Sequence, residues 1–79
     1  RLLEFELREA VNRAIASLPK KQRMAVVLRR HEKMSYEDIA AILGISVSAV
    51  KSQLFRARTT LRQMLGKFLG TSSAQSESP

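Results

Sequence analysis

Apolar residues recur every three or four positions through most of this chain, a spacing that predicts helices and gives no strand signal. The first helix is predicted from about Leu3 to Ser17. The second is predicted from Pro19 to about Arg30, because proline suits the first turn of a helix. Their expected apolar faces are Leu7, Val11, Ala14, Ile15 and Leu18 in the first helix, and Met24, Val27 and Leu28 in the second.

Two further helices have clear boundary signals. Ser35 is a good N-cap, and the helix that it starts is expected to end at Gly44, since glycine readily adopts the left-handed C-cap conformation. Ser46 is the expected N-cap of the longest helix, which reaches about Leu65 or Phe68. The expected inner faces are Tyr36, Ile39, Ala40 and Leu43 in the third helix, and Val47, Val50, Leu54, Ala57, Leu61 and Leu65 in the fourth.

These elements predict an all-α fold, a four-helix domain with a C-terminal helix-turn-helix. Two short helices joined by a tight turn at Gly44 outline that motif, whose second helix can enter a DNA major groove. With 79 residues, we expect one domain over 1–70. Residues 71–79 are small and polar without an apolar stripe, which predicts a disordered tail. Because the chain begins with Arg1, we expect a fragment of a longer protein.

The distribution of charge is more informative than the net charge of +7. No acidic residue falls between Ile39 and Ser76, a stretch that carries Lys51, Arg56, Arg58, Arg62 and Lys67. A polyanion is the natural partner of such a block. From charge alone, a solvated basic face is an equal alternative, and an anionic membrane surface is a weaker third one.

The composition argues against several classes of chemistry. The chain has no cysteine and a single histidine, His31, which excludes disulfides, thiolate metal sites and multi-histidine metal sites. We therefore expect no cofactor and no metal. With no cysteine and one histidine, the chain has few residues that could form a nucleophilic triad, so an enzyme is not expected. No apolar run approaches the roughly 20 residues that span a bilayer. The lack of cysteine fits a reducing compartment, and we expect the cytoplasm.

The face of the fourth helix opposite its apolar seam is the candidate site. At about 100° per residue, that face carries Ser48, Ser52, Phe55 and Thr59, with Lys51 and Arg56 on its flanks. Serine and lysine can hydrogen-bond base edges, and arginine can do so bidentately to guanine. The ring of Phe55 would pack on a thymine methyl group or the backbone wall. The alternatives are that Phe55 joins the core edge or is simply exposed.

Several short segments occur in order along the chain. They are Leu18-Pro19-Lys20-Lys21-Gln22-Arg23, Met34-Ser35-Tyr36-Glu37-Asp38-Ile39-Ala40, Leu43-Gly44-Ile45-Ser46, Val50-Lys51-Ser52 and Arg56-Ala57-Arg58. Together they resemble region 4 of bacterial sigma factors, most closely the extracytoplasmic-function group, over about Glu9 to Leu65. The run Arg56-Ala57-Arg58 favours sigma factors over response-regulator output domains, which share features of the turn but usually lack this run.

The resemblance implies binding to the minus-35 element of double-stranded promoter DNA and docking on the β flap of RNA polymerase, as part of a sigma factor in transcription initiation. In many members an anti-sigma factor occludes these surfaces, so such a factor is a candidate partner. A monomer is expected, with no membrane partner. The implied DNA-binding residues are Tyr36 on a phosphate, Ser48, Lys51, Ser52, Phe55 and Arg56 on bases or nearby backbone, and Arg58 on backbone or polymerase.

Three positions depart from the family pattern. Lys33 stands where glycine is frequent, Gln53 where many relatives have a basic residue, and Ala49 where many have threonine. Two alternative functions therefore stay open: a response-regulator-type helix-turn-helix output domain, and a sigma-like protein-interaction module without promoter readout. The cations Lys20-Lys21 and Arg23 could contact DNA backbone, contact polymerase or only be solvated.

Overall fold

The computed structural model describes residues 2–69 and contains four helices: α1 Leu2–Ala16, α2 Lys20–Arg30, α3 Tyr36–Leu43 and α4 Val47–Leu69. The predicted all-α architecture is confirmed. The tail predicted over 71–79 lies outside the described residues. Within the described range, no single helix has the length and apolarity to cross a membrane, and α3 with residues 47–66 passes that test only as a bent pair.

Helix α4 is the element on which the rest of the domain packs. Each of α1, α2 and α3 contacts it, whereas in the described range α1 and α3 do not contact each other. Its buried side chains are Val50, Leu54 and Ala57, and Val50 and Ala57 are 0% exposed. The other helices and the α1–α2 connection complete the core with Ile15, Leu18, Ala25, Val26, Ile39 and Ala40. The predicted seam of α4 is thereby confirmed at Val50, Leu54 and Ala57. Its remaining members are only partly buried: Val47, Leu61 and Leu65.

The inner faces of α1 and α2 differ from the prediction. In α1 the buried side chains begin at Ala10, because residues 3–8 all lie exposed beyond the core, and Leu7 is 37% exposed. In α2 the buried residues are Ala25 and Val26. The predicted face Met24, Val27 and Leu28 is only half-buried. The α2 helix is therefore turned relative to the orientation that its largest side chains suggest.

The connection between α1 and α2 gives Arg23 a structural role. Its Nη1 donates to the Leu18 carbonyl in the connection at 2.9 Å and to the Ala16 carbonyl at the end of α1 at 3.4 Å. Pro19 is the N-cap of α2, so the helix begins at Lys20, one residue later than predicted. Arg23 therefore has a structural role in joining α1 to α2, which the sequence did not predict. Lys20 and Lys21 are exposed.

The loop before α3 contains a strained residue. Lys33 has a φ of 56°, the only positive φ outside glycine in the described range. A left-handed conformation costs a residue with a Cβ about 1–2 kcal/mol. Glycine would adopt this conformation without that cost, which gives a physical reason why glycine suits the position.

Candidate nucleic-acid interface

The turn between α3 and α4 has the geometry of a helix-turn-helix. The two helices are bent by 96° across the break between Leu43 and Val47, within the range of about 90–120° of that motif. Gly44 is left-handed, with φ 71° and ψ 36°. The backbone N–H groups of Gly44 and Ile45 both donate to the Ala40 carbonyl, at 2.8 and 3.1 Å. The predicted motif and its glycine C-cap are confirmed.

Serine side chains fix the starts of both helices. The Ser35 hydroxyl accepts from the Asp38 N–H at 3.1 Å, and the Ser46 hydroxyl accepts from the Ala49 N–H at 3.0 Å. Each such cap contributes about 0.5–2 kcal/mol to the stability of its helix. Both predicted caps are confirmed, and the second determines which residues occupy the first turns of α4.

The outward side of those turns consists of exposed residues. Ser48, Lys51, Ser52 and Arg56 are all exposed. Phe55 is 66% exposed, so the alternative that places it at the core edge is wrong. Short hydroxyl side chains on this face would let a helix approach a groove floor closely, and the cations beside them can reach phosphates or base edges. We call Ser48, Lys51, Ser52, Phe55 and Arg56 the outer face of α4.

Tyr36 joins this face through its aromatic ring. The ring is half-buried and packs against the core cluster. The Lys51 ammonium lies 5.9 Å from the ring centroid, and the guanidinium carbon of Arg29 lies 4.6 Å from it. The structure therefore brings together two of the residues predicted for the site, Tyr36 and Lys51, although they lie on different helices.

Sequence reasoning did not include Arg29 in the site. A cation in the last turn of a helix suits the negative end of the helix dipole, and the sequence indicates no other role for Arg29. In the structure its Nη1 donates to the Met34 carbonyl at 2.7 Å, and its guanidinium contacts the Tyr36 ring. The signal in the sequence is weak: a cation at the end of one helix and an aromatic residue at the start of the next.

Arg58 lies apart from the outer face. It borders an open cleft between α2 and α4, whose lining combines three arginines with three aliphatic side chains: Arg29, Arg30, Arg58, Val26, Leu54 and Leu61. Such a cleft suits an amphipathic partner segment with acidic residues at its edge, since apolar contact and charge pairing can then act together. The predicted site residues of α4 are thus divided between its outer face and this cleft.

The two departures from the family pattern in α4 lie beside the outer face. Ala49 and Gln53 are both partly buried, whereas the outer-face residues are exposed. Their side chains therefore lie closer to the core than those that would first meet a ligand. Promoter preference stays a prediction at these positions.

The charge on this side of the molecule is unbalanced. No acidic residue occurs between Ile39 and Ser76, so the cations of α4 have no acidic neighbour within their own helix. Within residues 2–69, no group of three or more His, Cys, Asp or Glu side chains is placed to hold a metal ion. The positive field of this surface therefore comes from lysine and arginine, and it would attract a polyanion over several ångströms.

Comparison with known proteins identifies related sequences. The family model described as Sigma-70, region 4 matches residues 8–61. The ECF RNA polymerase sigma-E factors of Escherichia coli (strain K12) and Salmonella typhi are each 48% identical over 60 residues, covering 76% of this chain and 31% of the relative. The RNA polymerase sigma-H factor of Pseudomonas aeruginosa is 38% identical over 68 residues, covering 86% of this chain and 35% of the relative. The chain spans about a third of the length of these relatives.

Proposed function

The chain belongs to the sigma-70 region 4 family, and we propose that it is the part of a sigma factor that binds promoter DNA and docks on RNA polymerase in transcription initiation. Relatives of this chain are named as RNA polymerase sigma factors. The observation that carries the proposal is the exposed, basic and hydroxyl-bearing outer face of α4, held at 96° to α3. On this proposal the domain acts by binding and is not an enzyme.

The finer proposal is that the outer face reads the minus-35 element in the major groove. A groove about 12 Å wide admits one α-helix. Ser48 and Ser52 are short enough to allow close approach, while Lys51 and Arg56 reach base edges or phosphates on either side. Phe55 has no place in the core and would contact a thymine methyl group or the sugar–phosphate wall.

We assign polymerase docking to the cleft between α2 and α4. Its aliphatic floor and arginine rim, including Arg58, offer an apolar and basic surface outside the outer face. A partner in this cleft leaves Ser48 and Ser52 open, so promoter contact and polymerase contact can occur at the same time. The β flap is the proposed occupant, and an anti-sigma factor that covers either surface would block initiation.

On this proposal, residues 1–70 form the domain, which acts as a monomer in the cytoplasm together with RNA polymerase. A response-regulator-type output domain, the alternative within the same class, would instead dimerise on DNA. Light scattering of the protein alone and with duplex separates the two. A stable dimer would favour the alternative.

Salt dependence is the direct test of DNA binding. Fluorescence anisotropy would measure affinity for a duplex enriched by this protein from a random-sequence pool, with an unselected duplex as the reference. With about five phosphate contacts, log affinity should fall against log salt with a slope of about −4 to −5. A flat salt response would contradict DNA binding.

Backbone amide shifts on titration would then locate the contact. The proposal expects the largest changes over residues 48–56. Shifts confined to the cleft between α2 and α4, or absent throughout, would favour a protein-interaction module without promoter readout.

A further inference from the structure

One aromatic ring connects α4 to a residue outside the helix-turn-helix. Arg29 lies in the last turn of α2, Tyr36 is the first residue of α3, and Lys51 lies in the second turn of α4. The two cationic groups lie 4.6 and 5.9 Å from the Tyr36 ring centroid. Both distances fall within the roughly 6 Å over which a ring face attracts a cation. We call these three residues the Tyr36 cluster.

Two of the three members are held in place by the fold. The guanidinium of Arg29 donates to the Met34 carbonyl at 2.7 Å, a short charge-assisted hydrogen bond. The Met34 N–H in turn donates to the Leu28 carbonyl at 3.2 Å, which ties the loop to α2. Tyr36 packs against the core cluster. Arg29 is exposed, as Lys51 is, but its hydrogen bond to Met34 orients the guanidinium, and core packing holds Tyr36. Arg29 and Tyr36 therefore form the support on which the Lys51 side chain lies.

An exposed lysine on a helix samples many rotamers, and fixing it on binding costs conformational entropy. A ring that already attracts the Lys51 ammonium narrows that set before DNA arrives. The cluster also holds two positive charges near one ring, and within the described range neither is paired with a carboxylate. A nearby phosphate would be attracted by both charges, so the cluster favours a bound polyanion.

We propose that Arg29 is a positioning residue for DNA recognition, acting through the ring of Tyr36 to hold Lys51 toward the groove. The inference rests on the proposed function, because it requires that α4 binds DNA. It assigns the contribution of Tyr36 to its ring, whereas the family resemblance assigns a phosphate contact to that residue. It also gives a role in recognition to α2, which lies outside the helix-turn-helix.

A double-mutant cycle on DNA affinity tests the coupling. Lys51→Ala should lower affinity for the selected duplex about 10-fold, and Arg29→Ala about 3- to 5-fold. The double variant should lose little more than Lys51→Ala alone, because Arg29 acts only through Lys51. If the two losses multiply, Arg29 contacts DNA independently and the positioning role is wrong.

Arg30→Ala is the matched control for charge. Arg30 lies next to Arg29 in α2 and carries the same charge, but in the part of the chain that the structure describes only Arg29 and Lys51 make a cation–π contact with Tyr36. If Arg30→Ala lowers duplex affinity, the double variant with Lys51→Ala should show the product of the two fold-losses in affinity. If Arg30→Ala couples to Lys51→Ala as strongly as Arg29→Ala does, then positive charge at this end of α2 explains the coupling and the Tyr36 ring does not. That result would overturn the proposal.

Two substitutions of Tyr36 separate the ring from the hydroxyl. Tyr36→Phe keeps the ring and should preserve the coupling between Arg29 and Lys51, whereas Tyr36→Leu should abolish it. In the protein without DNA, the ε-methylene protons of Lys51 should show a ring-current shift in the wild type and in Tyr36→Phe, and lose it in Tyr36→Leu. Loss of coupling in Tyr36→Phe, or no ring-current shift in the wild type, would contradict the proposal.

The Asp38 N–H, which donates to the Ser35 hydroxyl, should keep its protection from hydrogen exchange in every variant and so show that the start of α3 is intact. A wild-type protein that binds no duplex would overturn the proposed function, and the positioning role would fall with it. A wild-type protein that binds duplex while the losses multiply would overturn the positioning role alone.

Discussion

The inner and outer faces of α4 differ in what they contact: the inner face is buried in the core, and the outer face is exposed. The inner face consists of Val50, Leu54 and Ala57, which are buried against the other three helices. The outer face carries Ser48, Ser52 and exposed Phe55, and no part of the described fold covers it. The inner residues are therefore determined by the packing of this domain. Apart from the contact of Lys51 with the Tyr36 ring, packing within the domain does not specify the outer residues, and on the proposed function the DNA ligand specifies them.

This difference implies that stability and recognition can be changed separately on one helix. Substitutions on the inner face should lower the free energy of unfolding and leave the affinity of the folded protein for DNA unchanged. Substitutions on the outer face should do the reverse. The following predictions test that separation, beginning with the largest expected effect.

Leu54→Ala should lower the free energy of unfolding by about 2–4 kcal/mol, because it removes a buried side chain and leaves a cavity. Urea denaturation followed by circular dichroism measures this loss. Ser52→Ala, two positions away on the exposed face, is the control and should change stability by no more than about 0.5 kcal/mol. Similar losses for both would mean that the outer face also carries the fold.

Arg56→Ala should weaken binding to the selected duplex by about 1–3 kcal/mol, because an arginine can contact guanine bidentately. The free energy of unfolding should stay within about 0.5 kcal/mol of the wild type, since Arg56 is exposed. Anisotropy titrations on selected and unselected duplexes measure the effect. An equal loss on both would reduce Arg56 to a phosphate contact.

Gly44→Ala should cost about 1–2 kcal/mol of stability, because φ at this position is +71°. No atom lies within 4 Å of an added Cβ, so the cost is in the backbone and not in packing. Thermal melting measures it, and Gly44→Asn should lose less because asparagine tolerates the left-handed region better. If Gly44→Ala left the melting temperature unchanged, the left-handed turn would not be what fixes α4 against α3.

Lys33→Gly should have the smallest effect, a gain of about 0.5–1 kcal/mol, because glycine accepts a positive φ without a Cβ penalty but loses more chain entropy on folding. Lys33→Ala keeps the strained backbone and is the control for loss of the charge. Chemical denaturation of both variants gives the difference. A gain in Lys33→Ala equal to that in Lys33→Gly would attribute the effect to charge and not to conformation.

The features that the sequence predicted well are those controlled by neighbours in the chain. The caps at Ser35 and Ser46 and the turn at Gly44 depend on contacts over three or four residues, so composition and spacing were sufficient. The inner face of α4 followed from its long periodic stripe. The outer face of α4 was predicted as the side opposite that stripe, and Phe55 falls on this side, so its exposure could be expected. Promoter readout by that face stays a prediction.

The features that the sequence did not predict depend on contacts between helices. Arg23 reaches back to the end of α1, and Arg29 reaches forward to Met34 and Tyr36. A long arginine side chain can turn either way, and no local spacing specifies which carbonyl it will meet. The turned orientation of α2 has the same origin, because the small residue Ala25 is buried where helices approach closely, while the larger Met24 is displaced to the edge.

The position of α4 as the common partner of the other three helices has a thermodynamic consequence. A ligand that binds only the folded state stabilises it through mass action, by about 2.7 kcal/mol when its concentration is 100 times the Kd. Because α1, α2 and α3 all rest on the helix that we propose to hold in the groove, that gain would reach the whole domain and not one segment. Promoter occupancy would then be readable, without any label, as a higher unfolding temperature of the entire protein.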